Sequence, residues 1–255
     1  MDTPNKCRIM TINEAKDLVS QLFDSKVIAN NRSTKKGSAA SAVAETMEMH
    51  VYKTMEKKYG LRSLAAEHTG ALLTSVQKYC QQDNGILVFM KIFSNEVEEE
   101  FREVQTELSG SIADLLRVQI MSKYPSKDQQ GINALLGERM SGILPEEEWT
   151  DIVNYLYNSS DSKILNSKLR AICGGSRDGD KAEMKKYGYL RSNTKFKKDS
   201  SKKLMIAYED FVKCILDFQL ETHQKFLSRF VAAFRQVDIN LDGVINPEEF
   251  HDLFL

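Results

Sequence analysis

Phe89-Met-Lys-Ile-Phe93-Ser-Asn-Glu-Val97-Glu-Glu-Glu-Phe101-Arg-Glu-Val104-Gln-Thr-Glu-Leu108 carries its apolar residues at steps of three and four, and Ile112, Leu115 and Leu116 continue the series. Such spacing brings side chains back to one face of an α-helix about once per turn. It predicts a single helix of about nine turns, spanning roughly 50 Å at ~1.5 Å per residue and closed by Pro125. Ser109-Gly110 interrupts the helix formers and marks a place for a kink. Phe and Val, rather than Leu, fill most seam positions, which favours bundle packing over a long parallel coiled coil.

The same period extends in both directions along the chain. Upstream, Thr11-Ile-Asn-Glu14 is a capping box ahead of a short helix with Ala15, Leu18, Leu22 and Phe23 on one face. Residues 24 to 38 lack apolar periodicity and read as a linker, making residues 1–37 a tethered N-terminal arm. Val43, Met47, Val51 and Met55 then recur every fourth residue to Tyr59-Gly60, a helix with a glycine stop. A further helix follows from about Ser63 to Tyr79, with Leu64, Leu72, Val76 and Tyr79 inward. Asp83-Asn84-Gly85 has turn chemistry.

Downstream, Ile132, Leu135, Leu136 and Met140 mark a short helix. Pro145 with Glu146, Glu147 and Glu148 starts another, because carboxylates suit the positive end of a helix dipole. Its inward residues are Trp149, Ile152, Val153 and Leu156. Ile164, Leu165, Leu169 and Ile172 form one more, closed by Gly174-Gly175. No segment has sustained strand alternation. The fold class is therefore all-α: an elongated helical bundle body, residues 38–176, followed by a smaller C-terminal module.

The composition excludes several classes. A hydrophobic content of 42% with 28% charged residues is that of an ordinary soluble chain, and a net charge of -1 removes whole-chain steering toward nucleic acid. Cys7, Cys80, Cys173 and Cys214 are far apart and form no CxxC pair, so neither zinc nor a disulfide framework is indicated, and a reducing compartment fits. The first residues are polar, and no run approaches the roughly 18 apolar residues of a membrane span. A cytoplasmic protein is expected.

One region departs from this balance. Between Lys181 and Lys203 nine Lys or Arg face only Glu183 and Asp199, an excess of seven positive charges. Residues 177–203 read as a basic hinge. Lys185, Lys186, Arg191, Lys195, Lys197 and Lys198 are its candidate contacts with an acidic protein surface or a membrane face, a contact that salt should weaken. Tyr187, Tyr189 and Phe196 are too few for a nucleic-acid stacking platform. The acidic face of Glu96 to Glu107 is an alternative, internal partner.

After the hinge the helical period returns through Phe211, Ile215, Phe218, Phe226, Phe230, Phe234 and Val237. It runs into Asp238-Ile-Asn-Leu-Asp-Gly-Val-Ile-Asn-Pro-Glu-Glu249. Here Asp238, Asn240, Asp242, the Val244 carbonyl, Asn246 and Glu249 fall at positions 1, 3, 5, 7, 9 and 12, with Gly243 at 6 for the turn. A hard divalent cation needs six or seven oxygens, and this spacing supplies them. Calcium is the expected ligand. No Ser-His-Asp or Cys-His set stands out, and the histidines are scattered, so a non-catalytic protein is expected.

The loop resembles those of the EF-hand superfamily of calcium-binding modules. That resemblance implies a sister loop, because such loops share a short strand pairing and their helices share a core. Residues 199–210 have an acid at each end and Ile206 at position 8, but Lys203 and Leu204 stand at positions 5 and 6. They are expected to be a degenerate partner, so that residues 204–255 form one module. The resemblance also implies that Phe230, Phe234, Phe250 and Phe254 offer apolar surface to a protein partner. Lys53-Thr-Met-Glu-Lys-Lys-Tyr-Gly-Leu-Arg-Ser-Leu64 and the long Phe/Val seam are similar in style to helical EF-hand proteins of the ciliary axoneme. This implies a cytoskeletal scaffold or adaptor, on microtubules, with the alternative of a soluble calcium sensor that opens an apolar groove for a partner helix.

Overall fold

The computed structural model describes residues 9–35, 45–174, 204–238 and 244–252. These residues are mostly helical, and none of their helices is long and apolar enough to cross a membrane. Among the described residues eight helices precede the basic stretch: α1 Ile12–Lys35, α2 Met47–Tyr59, α3 Arg62–Tyr79, α4 Asn84–Phe93, α5 Phe101–Lys123, α6 Gln129–Ser141, α7 Glu146–Leu156 and α8 Ser159–Gly174. Two follow it, α9 Tyr208–Val237 and α10 Pro247–Asp252. Strands β1 Ile143–Pro145 and β2 Met205–Ala207 pair antiparallel, with Leu144 opposite Ile206.

Local signals set the helix ends. The Thr11 amide donates to Glu14 Oε2 at 2.7 Å and the Glu14 amide to Thr11 Oγ1 at 3.3 Å, so the capping box closes as expected. Thr46, Asp83 and Asp128 each accept an amide of the first turn of α2, α4 and α6. Gly60 ends α2 at φ 71°, where a Cβ would touch nothing within 4 Å. Gly60→Ala should therefore cost only the left-handed backbone penalty, about 1–2 kcal/mol, measurable by urea denaturation.

The buried residues form two cores. The first holds Ala15, Val19, Leu22 and Phe23 of α1 against Met47, Val51, Met55, Leu72, Val76 and Phe89 of α2 to α4. The second gathers Ile112, Leu116, Leu136, Leu144, Trp149, Ile152, Leu165, Ile206, Phe211 and Ile215 from α5 to α9 and both strands. Helices α5 and α9 tie them together. Phe101 and Leu220 enter the first core, while Ile112 and Phe211 enter the second. Gln105 Nε2 donates to Leu216 O, and Asn84 Nδ2 to Asp217 Oδ1, both at 2.9 Å.

The structure corrects several expectations. Residues 12–35 are one helix with Ala15 fully buried, rather than an arm and linker; Val19 and Lys26 complete the face that the polar residues after Phe23 obscured. Asn84-Gly85 opens α4 instead of making a turn, because the Asp83 carboxylate caps the Ile86 amide at 2.9 Å. The long helix is broken at Ser94 to Glu100 and runs unbroken through Ser109-Gly110. Asn95 takes φ 54°, its amide reaching Ile92 O at 3.0 Å and the Glu96 amide Lys91 O at 2.8 Å. That pair of bonds is a Schellman stop. The turn uses a whole step of the four-residue spacing, so Phe93, Val97 and Phe101 keep their period across a break.

Helix α3 turns Ala65, Thr69, Leu72 and Val76 inward and leaves Leu64 in solvent; Met140 and Ile164 are likewise exposed. The largest correction concerns residues 204–220, which were expected to belong to a separate module. Ile206, Phe211, Ile215 and Phe218 are instead built into the second core.

Candidate functional site

The oxygen-donor loop lies between the end of α9 and the start of α10. Asp238 follows α9 directly, is buried, and donates its amide to Phe234 O at 2.9 Å. At the other end the Asn246 carbonyl accepts the Phe250 amide at 2.8 Å, in the first turn of the helix opened by Pro247. Val244 is exposed. Asn240, Asp242, Gly243 and the side chain of Glu249 lie outside the described residues, as do Phe254 and the basic contacts Lys185, Lys186, Arg191, Lys195, Lys197 and Lys198. Among the described residues no three His, Cys, Asp or Glu side chains gather as a metal cluster. The donor chemistry still suits a calcium ion: three carboxylates, two amide oxygens and a carbonyl, all hard oxygens, in one loop flanked by helices.

No family model, curated protein or solved structure matches the chain. The reading of the site therefore rests on its own residues.

The expected sister of this loop is paired elsewhere. Ile206 lies opposite Leu144, so residues 205–207 pair with residues 143–145 rather than with the oxygen-donor loop. The Glu146 amide donates to Leu204 O and the Tyr208 amide to Gly142 O, both at 3.0 Å, and each strand runs straight into a helix, α7 or α9. Counting Leu144 as position 8 of a twelve-residue frame puts Gly142 at position 6 and Glu148 at position 12. A Cβ on Gly142 would lie 2.8 Å from Glu138 O, so glycine is required at this turn.

The chemistry inside that frame is inverted, because position 3 is Arg139. Glu148 is 3% exposed; Lys123 Nζ lies 2.8 Å from its Oε1 and Arg139 Nε 3.3 Å from its Oε2. Lys123 thus hydrogen-bonds Oε1 of the buried carboxylate, and Arg139 compensates Oε2 by charge alone. The sequence pattern missed this because Gly137 and Arg139 contain no ligand signal. In the sequence Glu148 reads only as one of three carboxylates at a helix start. In the partner frame, Asp210 has its carboxyl pushed above the ordinary value, chiefly by burial, with Glu209 adding and Lys213 opposing.

One further polar grouping lies beside the first core. Ser25 Oγ lies 2.8 Å from His50 Nε2, and His50 Nδ1 lies 3.2 Å from Glu45 Oε2. The order is that of a Ser-His-acid relay, but the Ser25 hydroxyl donates to Leu22 O at 2.9 Å within α1. Ser25 also sits in mid-helix, where neighbouring amides are consumed by the helix ladder, unlike the free donors an oxyanion needs. The set is better read as a polar tie between α1 and α2, joined by buried Lys26, which donates to Glu45 O. Glu45 is held below its ordinary value of 4.5, first by the hydrogen bond from Lys53, with burial opposing and His50 assisting.

A carboxylate depressed in the fold stabilises it above the unfolded pKa and loses that contribution as pH falls through the folded value. Stability should accordingly decline below about pH 4.5, and Glu45→Gln should flatten part of that acid limb in denaturation midpoints recorded against pH.

A cleft of about 660 Å³ opens between the two lobes, lined by Lys16, Arg102, Tyr208 and Lys213 among others. Lys16 pairs with Asp83 at 2.6 Å and Lys213 with Asp217 at 2.5 Å, so these charges compensate one another. The described cysteines are free. Burial pushes the Cys173 thiol up to about 11, which keeps it protonated and poorly nucleophilic near neutral pH.

Proposed function

We propose that the chain is a non-catalytic, calcium-binding adaptor or scaffold subunit of a larger protein assembly. Calcium would be held by Asp238, Asn240, Asp242, the Val244 carbonyl, Asn246 and Glu249. The observation that carries this reading is the oxygen-donor spacing from Asp238 to Glu249, placed between the end of α9 and the start of α10.

An attachment role fits better than a groove that must open, because Phe226 and Phe230 already lie in solvent, 65% and 57% exposed. A cytoskeletal, microtubule-based setting rests only on the resemblance of residues 53 to 64 and the Phe/Val seam, with the basic stretch 177–203 as the part suited to an acidic surface.

Calorimetric titration of the whole chain with calcium tests the proposal. One binding event is expected, lost in Glu249→Gln. An apolar dye should gain little fluorescence on calcium addition; a large gain would favour the sensor, and no binding heat at millimolar calcium would remove calcium from the account.

A further inference from the structure

Helix α9 changes character half-way. Through Leu220 its apolar residues are buried in the two cores, and His223 still packs on Phe101, with ring centroids 4.6 Å apart. Beyond that point the same face continues into solvent. Phe226 stacks on Phe230 with centroids 6.3 Å apart, and Phe234 lies tilted against Phe230 at 6.4 Å, a ladder at the four-residue helical step. Val231 beside it is 42% exposed. Isolated exposed apolar residues are ordinary on protein surfaces, whereas three successive rings along a helix make a continuous stripe.

The charge of this half-helix is one-sided. From Thr222 to Val237 it has Lys225, Arg229 and Arg235 and no Asp or Glu. A basic helix with one apolar face fits a partner with the opposite pattern. We propose that Phe226, Phe230 and Phe234, flanked by Lys225, Arg229 and Arg235, form the docking surface for an acidic amphipathic helix of a protein partner. This names the partner class for the adaptor described above and rests on that reading.

Charge also decides against the other occupants. A second copy would set the same three cations against their equivalents, at a cost in like-charge contact. An anionic bilayer surface calls for a cluster of about four to eight Lys or Arg, and this half-helix offers only Lys225, Arg229 and Arg235.

The test uses the full chain and a labelled peptide of about 18 residues, with Leu at every third and fourth place and Glu elsewhere, followed by fluorescence anisotropy. The expected result is saturable binding that weakens with salt and falls at least about tenfold in F226A/F230A. Thermal unfolding of that variant should match the parent, since both rings are exposed. A Lys-for-Glu version of the peptide should bind far less. Equal binding of the two peptides, or no change in F226A/F230A, overturns the proposal. So does an F226A/F230A-sensitive dimer in sedimentation, or capture by phosphatidylserine vesicles in place of the acidic peptide. A calcium titration of the same samples separates the two readings: peptide binding without calcium binding removes the calcium site alone, and calcium binding without peptide binding removes the docking surface alone.

Discussion

Replacing both Lys123 and Arg139 by apolar residues, as in K123M/R139L, is expected to destabilise the fold by about 3–5 kcal/mol, the largest effect of any surface-reaching change. Glu148 is 3% exposed, and its carboxylate oxygens meet Lys123 Nζ at 2.8 Å and Arg139 Nε at 3.3 Å. An ionised carboxylate taken out of water is tolerated only when charge or hydrogen bonds replace its hydration. With both cations gone its charge loses these partners, and the packing around Trp149, which is fully buried, must reopen to readmit water.

The cations are themselves 47% and 34% exposed, so each can return to water when Glu148 is removed. Glu148→Gln alone should for that reason cost much less than K123M/R139L. Adding Glu148→Gln to K123M/R139L should recover most of the loss, and this coupling is the signature of the buried charge. Urea denaturation followed by the fluorescence of Trp149, the single tryptophan of the chain, gives the measurement. A K123M/R139L loss below about 1 kcal/mol, the scale of an exposed ion pair, would mean that the cluster is solvated and that Glu148 does not depend on these partners.

How far the fold could be read from the chain follows from what each signal reports. Periodicity placed most helices because a buried stripe must recur with the helical turn, as Met47, Val51 and Met55 do. It could not find the break at Asn95, since a tight turn that consumes one four-residue step leaves Phe93, Val97 and Phe101 in phase. Nor could it assign Ile206. A three-residue strand has no period, and its partner Leu144 stands 62 positions away in the numbering of the register. The loop from Asp238 to Glu249 was legible because its oxygen ligands come from consecutive positions of one segment. The Glu148 cluster was not, because its charges come from three helices, α5, α6 and α7, and meet only after folding.

Glu249→Gln is expected to remove the calcium-dependent stabilisation of the C-terminal segment while leaving the helical body unchanged. Binding linkage sets the scale: at calcium a hundred times the dissociation constant the parent chain should gain about 2.7 kcal/mol, and a variant without the twelfth-position carboxylate should gain little. Where that energy appears depends on packing. Beyond His223 helix α9 has Phe226 and Phe230 in solvent, whereas Phe211, Cys214 and Ile215 at its other end are fully buried. A unit with few buried contacts opens locally, with its own free energy, before the body does. Calcium should therefore slow amide exchange between Phe226 and Val237 by roughly a hundredfold, 2.7 kcal/mol being about two decades. Amides from Ile112 to Ile120 in α5 should keep their rates. The contrary outcome is a rise in the global melting temperature, at about 2–4 °C per kcal/mol for a chain of this size, abolished by Glu249→Gln. That would make the loop part of the cooperative core, and the exposed half of α9 would then have to be rigidly coupled to the residues that bury its first half.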